Sequence, residues 1–273
     1  MREITFGIFP SPAADHLETT LEAVRVAEEA GLDMVAIQDH PYQRRFLDTF
    51  TLLTTILART DRIQVMPDVA SLPMRGAAMT AKAAASLGII HPGRFILGLG
   101  AGAFWEAVEG MGGPRRSPGE AVDAFIEAIE VIRLLWSGER GLRYDGAHYR
   151  LDGVHSGPVP QVTVPIWAGA NGPRMLEVTG RLCDGWVGSA PNFPSERLGD
   201  AHARIDEAAR SAGRDPDDIR RAYSIPASFD AGELERLALE HRIDTFILTL
   251  GDDPVAETAA FSELALTVRR RIA

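Results

Sequence analysis

Short apolar runs and helical patterns take turns along this chain from one end to the other, and that alternation limits the folds open to it. Runs at residues 4–9, 34–37, 63–69, 94–99, 165–168, 185–187, 219–225 and 245–250 read as buried strands. Between them the apolar positions change to helical spacing, over 17–30, 49–58, 77–87, 119–136, 173–180, 195–212, 232–239 and 254–270. In the first of these helices Leu17, Leu21, Val24 and Ala27 form one stripe and Gly31 ends it. Ser195 is placed to cap the sixth. Strands that alternate with helices imply a parallel sheet. Eight such units in 273 residues predict a single-domain (β/α)8 barrel of class α/β, in preference to an open doubly wound sheet. One stretch, 137–164, breaks the rhythm with glycines, prolines, Tyr144, His148 and Tyr149.

Hydrophobic residues make up 45% of the chain, enough for a full core, and the formal charge is −10. No basic stretch interleaves with aromatics, so neither nucleic acid nor an anionic membrane is expected as a partner. A phosphorylated ligand stays compatible, because backbone N–H groups bind phosphate without net positive charge. Cys183 is the only cysteine, which excludes an internal disulfide and a cysteine metal cage and suits a reducing cytoplasm. The opening stretch from Met1 to Ile8 reads as a strand rather than a cleaved leader, and no apolar run is long enough to span a membrane.

Barrel enzymes carry their chemistry where the strands run out at their C-terminal ends. Asp39 and His40 follow the second strand. His40 is the best candidate for proton transfer, since imidazole titrates near neutrality, and Asp39 is the neighbour that would orient it or bond a ligand. His16, His202 and His241 lie on or beside helices and read as solvated. The run Gly98-Leu-Gly-Ala-Gly-Ala103 fits a dinucleotide-binding fingerprint only formally. No confident helix opens on its last glycine, and the next strand is far downstream. What it offers is a backbone that a flat ligand can approach closely. Gly169-Ala-Asn-Gly-Pro-Arg174 runs from a strand into a helix, and Pro173 suits the first helical turn. That is a candidate anion site, with Arg174 as an added donor. No zinc-binding helix motif, no second histidine at a strand end and no nucleophile elbow is present, so no catalytic metal is expected. Lys82 is the only lysine and falls on a helix, which argues against a lyase or isomerase that works through a strand-end lysine.

Asp39-His40, Arg94-Phe-Ile-Leu-Gly-Leu-Gly-Ala-Gly102, Pro165-Ile-Trp-Ala-Gly-Ala-Asn-Gly172 and Asp184-Gly-Trp, taken in order, resemble the bacterial luciferase-like flavin-dependent oxidoreductase superfamily. The resemblance implies a (β/α)8 barrel, a homodimer, and FMN or a deazaflavin (coenzyme F-420) held without covalent linkage over the barrel mouth. The Asp-His pair is similar to the deazaflavin-using reductase branch, which favours the deazaflavin and hydride transfer to or from a small organic substrate. FMN would instead imply a monooxygenase served by a flavin reductase, and a barrel that binds flavin without turnover is the third possibility.

By the same resemblance, His40 lies at the reactive face of the ring. A non-prolyl cis peptide behind the ring joins Asp68 to Val69, with Ala70 next to it. Ala101, Gly102 and Ala103 touch the ring, and Gly169, Ala170, Asn171, Gly172 and Arg174 grip the phosphate. Phe9, Met74, Phe104 and Trp105 are expected as the apolar wall of the substrate pocket. The deazaflavin sugar-phosphate dehydrogenases of this family carry a glutamate where this chain has Ala103. The long insertion after the seventh strand is also missing, so the expectation is either a more open site or one closed by 137–164 as a lid.

Overall fold

The computed structural model describes residues 3–272; Met1 and Arg2 of the opening stretch lie outside it. The chain begins with strand β1 (Thr5–Phe9), helix α1 (Leu17–Glu29), strand β2 (Met34–Ile37) and helix α2 (Thr49–Ala58). The third passage is split into β3 (Gln64–Pro67) and β4 (Ala70–Ser71), followed by a single turn, α3 (Leu72–Arg75), and by α4 (Ala77–Ile90). Next come β5 (Leu97–Gly100), the short α5 (Trp105–Gly110), α6 (Pro118–Leu135) and a hairpin of β6 (Leu142–Asp145) and β7 (Arg150–Val154). The second half runs β8 (Ile166–Gly169), α7 (Pro173–Leu182), β9 (Gly185–Ser189), α8 (Leu198–Ser211), β10 (Arg220–Ile225), α9 (Ala231–His241), β11 (Thr245–Thr249) and α10 (Pro254–Ile272).

All strands but the hairpin lie parallel in the order β3-β2-β1-β11-β10-β9-β8-β5-β4. The two ends of that order belong to one passage. β4 pairs with β5, and Val65 of β3 bridges Phe95 just before β5, with Val65 N–H to Arg94 O at 2.8 Å and Ile96 N–H to Val65 O at 3.0 Å. The sheet therefore closes into the expected eight-passage barrel, and the family of strand ends named above faces one mouth.

Two cores follow from the alternation of side chains across a strand. Met34, Ala36, Met66, Ile96, Trp167, Val187, Ala222 and Ile247 fill the lumen, and Phe9 packs on them from above. The larger core lies between the outer faces of the strands and the helices. Gly185 leaves room for the broadest lumen residue: a Cβ there would stand 2.6 Å from the Trp167 ring.

Three local expectations are corrected. Helix α8 starts at Leu198, not Ser195, which opens a 3-10 turn without side-chain capping. His202 is buried rather than solvated, edge-on to Trp186 at 5.1 Å with its Nδ1 2.8 Å from the His241 carbonyl. The 137–164 stretch is no lid: its hairpin is pinned against α6. Glu127 accepts the N–H groups of Ala147, His148 and Tyr149 at 2.8–3.0 Å, and Tyr144 donates to Glu130 at 2.6 Å. None of its residues lines the mouth.

Candidate active site at the barrel mouth

A cavity of about 610 Å³ opens at the C-terminal ends of the strands, and every passage of the barrel contributes to its lining. Its floor is the break in the third passage, where the peptide between Asp68 and Val69 is cis. Val69 is seated there because its neighbours are glycines. A Cβ on Gly100 would fall 2.6 Å from a Val69 methyl, and one on Gly169 would fall 3.0 Å from it.

The loop after β2 supplies two functional groups with separate duties. The Asp39 carboxylate accepts from Arg75 Nε at 2.7 Å and Nη2 at 2.6 Å and from the Ser71 N–H at 2.8 Å. Arg75 also bonds Asp48 at 2.7 Å and stacks on Phe50, while Asp48 caps α2 through the Thr51 N–H. The buried Asp39 thus ties the end of β2 to the turn beyond the cis bond. It makes no bond to His40, so the expectation that it orients that ring is corrected. Tyr42 does so instead, with its hydroxyl 2.6 Å from Nδ1. Phe104 closes the cluster, edge-on to His40 at 5.4 Å and tilted to Tyr42 at 5.9 Å. The only nitrogen of His40 left for the cavity is Nε2. Desolvation holds the imidazole pKa below its ordinary value, against the opposing pull of Asp39, so the ring is neutral at pH 7.

Asp68 has a different environment. Burial pushes its carboxyl up to about 6, opposed only by the Ser224 hydroxyl at 3.4 Å. It touches solvent through the cavity and has no cationic partner.

Of the residues singled out by sequence, Phe9, Asp39, His40, Asp68, Val69, Ala70, Ala101, Gly102, Ala103, Phe104, Gly169 and Asn171 line the cavity. The others do not. Trp105 packs beneath Gly102, where a Cβ would lie 2.6 Å from its ring, and Met74 backs Gly113 in the same way at 3.0 Å. The Ala170 carbonyl accepts from Trp186 Nε1 at 2.8 Å. Gly172 is the N-cap of α7, a helix with Pro173 in its first turn and no side-chain cap. Arg174 turns away to bond Asp123 on α6, and is corrected as a phosphate donor.

Sequence reasoning missed Tyr42, Ser189, Asn192, Ser224 and Thr249, all in the lining. Ser224 had a signal, a hydroxyl within an otherwise apolar strand end. Tyr42 had a weaker one, a phenol two residues past the histidine. Among the described residues, no group of three or more His, Cys, Asp or Glu is placed to hold a metal. Among them too, no helix is long and apolar enough to cross a membrane.

A closed parallel barrel with His40 and Tyr42 gathered at a mouth that every passage lines is the scaffold of a barrel enzyme. The chain belongs to the luciferase-like monooxygenase family, whose model matches residues 4–269. It is 34% identical over 226 residues to an F420-dependent glucose-6-phosphate dehydrogenase of Nocardia farcinica, covering 79% of this chain and 66% of that protein. It is 32% identical over 250 residues to the Gordonia bronchialis protein of the same name, covering 88% and 72%. Among solved structures, an F420-dependent secondary alcohol dehydrogenase in complex with an F420-acetone adduct superposes with a TM-score of 0.87 at 20% identity, covering 98% of this chain and 99% of that one. A monooxygenase from Streptomyces bottropensis superposes with a TM-score of 0.76 at 22% identity, covering 99% and 100%. At such identities the superpositions show the fold.

Proposed function

We propose that this oxidoreductase binds the deazaflavin coenzyme at the barrel mouth and moves a hydride between it and a small organic substrate. The observation that carries the reading is the neutral His40, with Nε2 turned to a cavity whose floor is the Asp68–Val69 bulge and whose walls are strand-end glycines. The names of the curated relatives support the coenzyme.

The residues present fit such a group. Gly100, Ala101, Gly102 and Gly169 leave backbone for a flat ring to approach. The first turn of α7 lacks a side-chain cap, and its N–H groups beside Asn171 would hold the coenzyme's phosphate at the positive end of the helix. Bound there, the coenzyme supplies a ring that takes up or returns a hydride. The protein's own part is to hold and move the proton. When Tyr42 donates to Nδ1, His40 presents Nε2–H to a substrate oxygen; when Nδ1–H donates to the phenol, Nε2 is a base that takes a hydroxyl proton. Asp39 and Arg75 keep the loop that carries this pair in place, and Phe9 and Phe104 give the cavity an apolar side.

Titration of the purified protein with the deazaflavin coenzyme and with FMN, read by absorbance and fluorescence, tests the proposal. Binding of the deazaflavin with slow or no binding of FMN is expected. FMN binding alone would move the protein to monooxygenation with a reductase partner, and binding of neither would overturn the reading.

A further inference from the structure

The curated relatives act on a sugar phosphate by name, and a phosphate ester taken out of water needs either a cation or a free set of N–H donors. Such a set at the mouth, the first turn of α7, is assigned above to the coenzyme's own phosphate. Among the described residues, no lysine or arginine lines the cavity. Of the cations nearest in sequence to the mouth loops, Arg44 is exposed and outside the lining, and the others are engaged elsewhere. Arg75 holds Asp39 and Asp48. Arg174 holds Asp123. Arg197 lies over the Phe193 ring at 4.3 Å and reaches the Asn171 carbonyl at 3.5 Å. Lys82, the only lysine in the chain, donates to the Gly157 carbonyl at 2.6 Å from α4.

The charge that does face the cavity has the opposite sign. Asp39 is neutralised by Arg75, but Asp68 has a hydroxyl for a partner and no cation. With the coenzyme's ring over the floor, that carboxyl lies behind the ring and adds to the negative field that an anionic substrate would meet. Around it the lining is apolar at Phe9, Val69, Phe104, Met175 and Val187, and polar through neutral groups such as Ser224 and Thr249. Such a surface suits an uncharged molecule with a hydroxyl or carbonyl head and an apolar body.

Resting on the oxidoreductase reading above, we infer that the cationless, Asp68-bearing mouth selects an uncharged alcohol or its carbonyl counterpart and rejects phosphate esters. In the oxidising direction the carbinol C–H and O–H bonds break: the hydride reduces the deazaflavin coenzyme, the proton goes to His40 Nε2, and the substrate leaves as the aldehyde or ketone.

The test uses the full chain with the deazaflavin coenzyme, whose binding is measured first by fluorescence. Coenzyme reduction is then followed with 2-propanol, cyclohexanol and benzyl alcohol, and separately with glucose 6-phosphate; acetone and cyclohexanone are run against reduced coenzyme. The expected result is turnover of at least one uncharged substrate, with kcat/KM for glucose 6-phosphate about 10²-fold lower or undetectable. Glucose 6-phosphate used as well as or better than every uncharged substrate would overturn the inference. So would bound coenzyme with no turnover of any uncharged alcohol or ketone in the panel. A protein that binds no deazaflavin would bring down the deazaflavin reading itself, and this inference with it, and the binding step shows which of the two has failed.

Discussion

The hydroxyl of Tyr42 lies 2.6 Å from Nδ1 of His40, so the ring that faces the cavity is held by a phenol and not by the carboxylate next to it in sequence. The bond fixes which nitrogen is offered to substrate. Tyr42→Phe removes it without removing the ring that packs on Phe104. A neutral hydrogen bond contributes about 0.5–1.5 kcal/mol, so kcat is expected to fall roughly 2- to 10-fold while coenzyme affinity holds. His40→Ala is expected to lower turnover by about 10²-fold. If Tyr42→Phe reduced coenzyme affinity and left kcat unchanged, the phenol would be a binding group and not the support of His40.

Asp39 is a stability residue on this structure. Its side chain is 1% exposed and holds Arg75 through two bonds and Ser71 through a third. Asp39→Ala leaves the half-buried guanidinium with Asp48 as its one remaining acid. Breaking a buried pair from one side costs about 3–5 kcal/mol, so the urea midpoint should drop by a corresponding amount. A variant as stable as the wild type would show that Arg75 finds full compensation from Asp48.

Phe104 is left-handed (φ 53°) and 64% exposed, an expensive backbone for a side chain that covers little. Its position against His40 and Tyr42 is the visible return. Phe104→Gly suits the backbone and deletes the ring. Stability is expected to stay within about 1 kcal/mol of wild type, and KM for the organic substrate to rise. An unchanged KM would remove Phe104 from the substrate wall.

The barrel was legible because each of its eight passages is short, apolar and bounded by helical spacing, and the closed sheet carries those same runs. What escaped was written in distances rather than in patterns. Asp39 and His40 are adjacent, yet their partners, Arg75 and Tyr42, depend on how the loop after β2 folds against the turn after β4. The anion-site reading of Arg174 failed for the same reason: a guanidinium four bonds from the backbone reaches Asp123 on α6, 51 residues away, as easily as a ligand. His202 looked solvated because it sits in a helix rich in charged residues, and only the packing of α8 over Trp186 buries it.

Asp68 is predicted to trade stability for the charge it places in the cavity. Its pKa is raised by burial from 3.8 to about 6. An acid with a raised folded-state pKa binds its proton more tightly when folded, so its contribution to stability is best at low pH and is lost as pH rises from about 4 to 6. Because the carboxyl meets water through the cavity, the loss at pH 7 is roughly 1–2 kcal/mol. Asp68→Asn should therefore be more stable than wild type at pH 7 and no more stable at pH 4, by urea denaturation. Equal stability at pH 7 would mean that the cavity solvates the charge fully.

His202 carries the opposite pH dependence. Burial, with Arg221 adding to it, depresses its pKa from 6.5 to about 3, and its Nε2 is buried without a partner. A base with a depressed folded-state pKa stays neutral in the native protein while the unfolded chain takes up a proton. Stability is therefore complete above pH 6.5 and falls as pH drops toward 3. One proton corresponds to about 1.4 kcal/mol per pH unit, so the loss between pH 6.5 and 5 is about 2 kcal/mol. His202→Gln keeps a donor for the His241 carbonyl and removes the titration. The variant is expected to be the less stable protein at pH 7, and its deficit should shrink by about 2 kcal/mol by pH 5, since every other group titrates alike in both. A deficit that stays constant across that range would show that His202 protonates in the folded state as readily as in the unfolded one.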